Sequence, residues 1–226
     1  MSVCNLFQGR LLLAVVGLLL AIPASSWGDG GGKCPASERS VAVSVRFESG
    51  QPFVDDIHSL AWIQEQAKGM HQPIGLTVSR LKHTLQGVFE WRSSEDRKNR
   101  CLYLRSLTLE LSYPELKVYI ANAYRPGSCE YQAIYRHEME HVRILKRHHE
   151  LYVPHLRERL QAMVYRQEAE RLSASQMEQK KQEVLQRLDQ EIQRELHRLD
   201  GRQKAAQAEI DTPRSYAKVR AECRHW

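Results

Sequence analysis

The chain has 226 residues, 42% of them hydrophobic, with 33 lysines and arginines against 27 aspartates and glutamates for a formal charge of +6. That length suffices for one domain, alone or with an appendage, to bury a real core. The basic excess is small and spread along the chain, which argues against a nucleic-acid partner and for a mildly basic soluble protein.

Met1 to Arg10 carries a single positive charge and is followed by the apolar run Leu11 to Ile22 and then "PASSWG". A basic start, a short apolar stretch and small residues form the pattern of a secretory signal peptide, predicted here as residues 1–26 with cleavage after Ser26. A lipoprotein is not expected, because Cys34 follows "GGK" and not an apolar-small-small box. No later segment is long and apolar enough to span a bilayer. The mature chain is therefore expected in the periplasm or outside the cell, without a membrane anchor. Its cysteines, Cys34, Cys101, Cys129 and Cys223, contain no C-x-x-C pair and read as two disulfides, with three connectivities open.

A leader, "GDGGGK", opens the predicted main domain, residues 27–172. "SVAVSVRF" places Val41, Val43, Val45 and Phe47 on one face of a strand. "DDIHSLAWIQEQAKG" reads as a short amphipathic helix capped by its aspartates and closed near Gly69. "GLTVSR", "LQGVFEW", "CLYLRSLTLEL" and "LKVYIANAY" follow as strands, the last pair split by a turn at "SYPE" and the middle pair by the charged loop "RSSEDRKN". The expected fold class is α+β: a small antiparallel sheet packed on a helix, with a long helical C-terminal extension.

That helix is predicted from Cys129 to His149, with Ile134, Met139, Val142 and Leu145 at helical spacing, and Pro154 is expected to end it. A second helix starts near His155 with Leu156, Leu160, Met163 and Val164 on one side. Residues 173–226 form the extension, a charged helix toward Ile210 with the narrow stripe Leu185, Leu188, Ile192, Leu196 and Leu199. Such a stripe packs on its own domain or serves a coiled coil, with a homodimer or a helical protein partner as the occupant. Cys223 would tie this tail back to the body.

"RHEMEHV" fits H-E-x-x-H at His137, Glu138 and His141. On a helix the two histidines lie about 40° and 6 Å apart on one face, so both imidazoles can reach one ion. Glu138 sits beside them, where a carboxylate can act on a metal-bound water. The expected chemistry is that of one zinc ion per chain: the ion lowers the pKa of its water toward about 7, Glu138 removes the proton, and an amide carbonyl is attacked. Catalytic zinc takes three protein ligands. Arg147 occupies the place where a third histidine would follow His141 by six residues. If the chain reverses at Val153 and Pro154 into a helical hairpin, Glu170 comes level with the histidines, with Glu168 close behind. His148 shares their face but lies about 10 Å further along the axis. Glu170 is preferred, and Glu168 and His148 are the alternatives. "ELKVYIANAY" is a candidate edge strand for pairing with a peptide substrate, although an interior strand fits it equally well.

Across "PELKVYIANAYRPGSCEYQAIYRHEMEHV" the chain resembles a bacterial family of exported proteins of unknown function described as predicted secreted zinc-dependent proteases. There a strand, a Pro-Gly-Ser-Cys-like turn and an HExxH helix come in this order. The resemblance implies a zincin-like fold, His137 and His141 as zinc ligands, Glu138 as base, and a peptide or protein substrate. It supplies no third ligand. A di-iron bundle is disfavoured, since no second E-x-x-H follows. The remaining alternative is a non-catalytic envelope protein with a structural or vestigial metal site, whose helical tail binds a protein partner.

Overall fold

The structure is a computed structural model that describes residues 34–35, 40–67, 73–94 and 99–226. The predicted signal peptide, the leader and Gly69 lie outside the described residues. The fold is mixed helix and sheet with a long C-terminal helix.

The chain forms β1 (Ala42–Glu48), β2 (Phe53–Asp55), α1 (Leu60–Gln66), β3 (Gly75–Ser93) and β4 (Arg100–Ile120) in that order. After these come α2 (Cys129–Tyr165), β5 (Glu170–Leu172), α3 (Met177–Ile210) and α4 (Pro213–Ala221). The strands form one sheet around β4. β3 runs antiparallel along one of its edges, while β5, β1 and β2 follow one another along the other.

The sheet is mixed, which corrects the antiparallel expectation: β1 and β2 run parallel to β4. No hairpin turn joins β1 to β2, so the chain continues in one direction as an interrupted edge. α1 then turns it back into β3. Ser59, not the expected aspartates, caps α1 by accepting from the Trp62 amide at 3.2 Å.

The four strands expected between residues 75 and 120 are two. "SYPE" is no turn. Between Ser112 and Glu115 the register with β3 gains a residue, and on the opposite edge β1 ends at Ser112 while β2 begins at Lys117. Pro114 falls in that gap, where its missing N–H leaves no ladder bond broken. The bulge also resets the pleat, so that Leu107, Leu109 and Leu111 before it and Leu116, Val118 and Ile120 after it are all buried. Each contributes about 1.5–3 kcal/mol by leaving water.

α2 and α3 pack together over β1 and β4, with Val45, Leu107, Leu109, Leu111, Leu156, Leu160, Leu188, Ile192 and Leu199 in one core cluster. This one core spans both sides of residue 172: the stripe of the long helix is spent within it, on Val184, Leu188, Ile192, Leu196 and Leu199. A second cluster joins Leu116, Val118 and Ile120 to Ala133, Ile134 and Val142 of α2 and to Tyr216 and Val219 of α4. α1 covers the other sheet face through Ile63 and Ala67 against Leu76.

α2 passes through Pro154. The proline and Glu150, whose carbonyl loses its helical partner, are both exposed, so water takes up the freed group. Disulfides join Cys34 to Cys101 and Cys129 to Cys223, one of the three open connectivities. Among the described residues no helix is long and apolar enough to cross a membrane.

Candidate metal centre

Gly127 (φ +86°) and Ser128 set the start of α2, where the Ser128 hydroxyl accepts from the Tyr131 amide at 3.1 Å. Two turns on, His137 and His141 pack edge to face, ring centroids 5.0 Å apart, with side chains only 7% and 8% exposed. Glu138 is 1% exposed. Donor atoms of His137, Glu138 and His141 lie within 4.8 Å of one another, and the group could hold a metal ion.

The Glu138 side chain fits because β3 begins with glycine. A Cβ on Gly75 would sit 2.6 Å from Glu138 Oε1 and 2.7 Å from Ile134 Cγ2. Only glycine permits that approach of strand to helix. Two residues on, the Thr77 hydroxyl lies 2.8 Å from Glu138 Oε2 and 3.1 Å from the Glu138 carbonyl, to which it can donate. Burial pushes the Glu138 carboxyl above its ordinary pKa, against the opposing pull of His141, His137 and the Thr77 hydroxyl.

A residue that the sequence reading did not single out is bonded to both histidines. Asp211 caps α3, and its Oδ1 lies 3.3 Å from His137 Nε2 and 3.1 Å from His141 Nε2. The Tyr216 hydroxyl donates to the same oxygen at 2.9 Å, and the Tyr216 ring lies 5.1 Å from that of His137. Burial alone would raise the Asp211 carboxyl, but the bonds from His137 and His141 hold it far below the usual carboxylate range. For His141, burial is outweighed by Asp211 and Glu138, and its pKa is raised. Burial and then Asp211 push the Tyr216 hydroxyl up. On the far side of His141, Nδ1 meets Gln207 Oε1, while Gln207 Nε2 donates to the His141 carbonyl at 3.0 Å.

Glu170 is not at this centre, and its assignment as third ligand is corrected. Because α2 runs on to Tyr165, no hairpin forms at Pro154; Glu170 lies in β5, paired opposite Leu102 and bridged to Lys180 at 2.7 Å. Glu168 lies exposed in the turn before β5. His148 stays on α2, seven residues and about 10 Å of helical rise beyond His141. The segment "ELKVYIANAY" belongs mostly to β4 and is interior, flanked by β3 and β2. Among the described residues, the strand with an unpaired edge beside the cluster is β3.

A cleft of about 640 Å³ opens over Glu138, His141 and Asp211. Gly75 to Ser79 of β3 form one wall; Gln193, His197, Asp200 and Lys204 of α3 line the other. Glu138, His141, Asp211 and Tyr216 all face this cleft. Compared with protein-family models, curated proteins and solved structures, the chain matches none.

Proposed function

We propose that this protein is an exported, zincin-like zinc hydrolase that cleaves peptide amides, with Glu138 as general base. The observation that carries the reading is the buried Glu138 carboxylate close beside His137 and His141, with Glu138 and His141 facing the cleft. The donor set fits zinc: two imidazoles and nearby carboxylates match the ligands that ion takes in hydrolases. The HExxH pattern and its resemblance to exported zinc proteases support the same reading, and two disulfides suit an oxidising compartment outside the cytosol.

Zinc held there would supply Lewis-acid polarisation of the scissile carbonyl and a more acidic water. His137 and His141 would bind it through Nε2, with Gln207 on His141 Nδ1 holding that ring in place. Glu138 takes a proton from the attacking water and passes it to the departing amine. Thr77 and Gly75 fix the carboxylate for this task. An extended peptide suits the cleft, because the outer edge of β3 offers unpaired backbone donors and acceptors in register with a strand.

Glu138→Gln keeps the shape of the side chain and removes the base. The variant should hold zinc as the wild type does and lose about 10²–10⁴-fold in cleavage of a quenched-fluorescence peptide library. Equal cleavage by both proteins would exclude Glu138 as the base.

A further inference from the structure

We infer that Asp211, at the turn between α3 and α4, is the third protein ligand of the metal centre. The inference rests on the reading that His137 and His141 hold a metal, and adds to it the residue that completes the set.

Three observations carry it. First, both histidines aim Nε2 at one atom: Asp211 Oδ1 is 3.3 Å from His137 and 3.1 Å from His141. Ligands about 2.0–2.1 Å from a tetrahedral zinc stand roughly 3.3 Å from one another, and these two separations are close to that length. Second, the Gln207 amide is oriented by its own bond to the His141 carbonyl, which presents Oε1 to His141 Nδ1 and keeps the proton on that nitrogen. The ring is thereby held with Nε2 toward Asp211 Oδ1, the orientation in which both could bind one cation. Third, Asp211 is held on both sides. Tyr216 donates to its carboxylate, the reciprocal Thr212 and Ser215 cap starts α4 directly after it, and Cys129–Cys223 ties the end of α4 to the start of α2.

With Asp211 as ligand, Glu138 stays free for proton transfer. Glu138, His141 and Asp211 line the cleft together, so an ion held there would be within reach of a molecule in it.

The test is zinc affinity and the visible spectrum of the cobalt(II) form, for wild type, Asp211→Asn, Asp211→Ala and a His137→Ala, His141→Ala double variant. Melting of the EDTA-treated proteins reports folding separately. Outer-sphere partners of zinc typically change affinity 10–100-fold, so loss of a ligand should weaken binding more than about 100-fold and alter the cobalt bands. Wild-type affinity and spectrum in both Asp211 variants, with binding lost in the double-histidine variant, would overturn the inference and leave the zinc site standing. Absence of zinc binding by the wild type would overturn both. If the Asp211 variants do not fold, a crystal structure of the zinc-loaded wild type decides: metal within about 2.2 Å of Asp211 Oδ1 supports the inference, and Glu138 or water in that place refutes it.

Discussion

At the scale of single residues, the centre depends on close approaches that tolerate no added atom. Gly75→Ala would drive a methyl group into Glu138 Oε1 and Ile134. We expect a loss of about 1–3 kcal/mol in urea unfolding, together with reduced cleavage, because the carboxylate must move. Gln207→Ala and Tyr216→Phe leave His137, His141 and Asp211 in place but release His141 and Asp211 from their partners. Each should weaken zinc binding about 10–100-fold in a competition titration while the melting temperature of the metal-free protein changes little. His137, Glu138 and His141 were legible in the sequence because one helical turn sets their spacing. Asp211 was not, since its partners lie 74 and 70 residues away and no local period relates a helix cap to a distant helix.

At the scale of elements, the interface of α2 and α3 contains two polar networks. Glu195 of α3 is 3% exposed and accepts from Tyr152 at 3.0 Å, Arg159 at 3.1 Å and Arg198 at 2.6 Å. Both arginines are about half exposed and can hydrate if the carboxylate is removed. Glu195→Ala should therefore cost about 1–3 kcal/mol, below the usual loss for a wholly buried pair. Nearer the centre, His149 is fully buried, stacked on Phe47 at 4.7 Å, and bonded to Tyr113 and Gln203. Burial holds its pKa below the ordinary value, with the Leu145 carbonyl opposing and His148 adding to the shift. The unfolded chain then takes up this proton at a higher pH than the folded one. Stability from this residue is full above about pH 6.5 and falls as the pH drops below it. Urea midpoints of EDTA-treated protein at pH 7 and pH 5.5 should show that loss in wild type, and a smaller one in His149→Gln. Period and composition marked most elements here. They misplaced the breaks at Pro114 and Pro154, because each proline sits where the lost hydrogen bond has little cost: one in a gap between strands, one on a wet helix face.

At the scale of the whole molecule, the C-terminal segment belongs to the centre. α3 supplies core leucines and a cleft wall, and α4 docks on α2 through Tyr216 and Val219. The sequence showed a narrow stripe and a late cysteine but could not choose among the disulfide pairings. With Cys129 eight residues before His137 and Cys223 twelve after Asp211, the pairing is what connects tail to site. The two bridges should separate in their effects. Replacing Cys129 and Cys223 by serine opens a loop of 94 residues, costs about 3–5 kcal/mol, and weakens zinc binding by loosening Asp211. Replacing Cys34 and Cys101 should lower stability while leaving zinc affinity unchanged, as a calorimetric titration of both pairs would show.

The distance along the chain between His141 and Asp211 also sets a clock. Ribosomes add about 5–20 residues each second, so the 70 residues that separate them take roughly 4–14 s to make. During that interval the nascent polypeptide carries His137, Glu138 and His141 but lacks Asp211. If the proposed function holds, the metal centre cannot be complete before the last helix has docked.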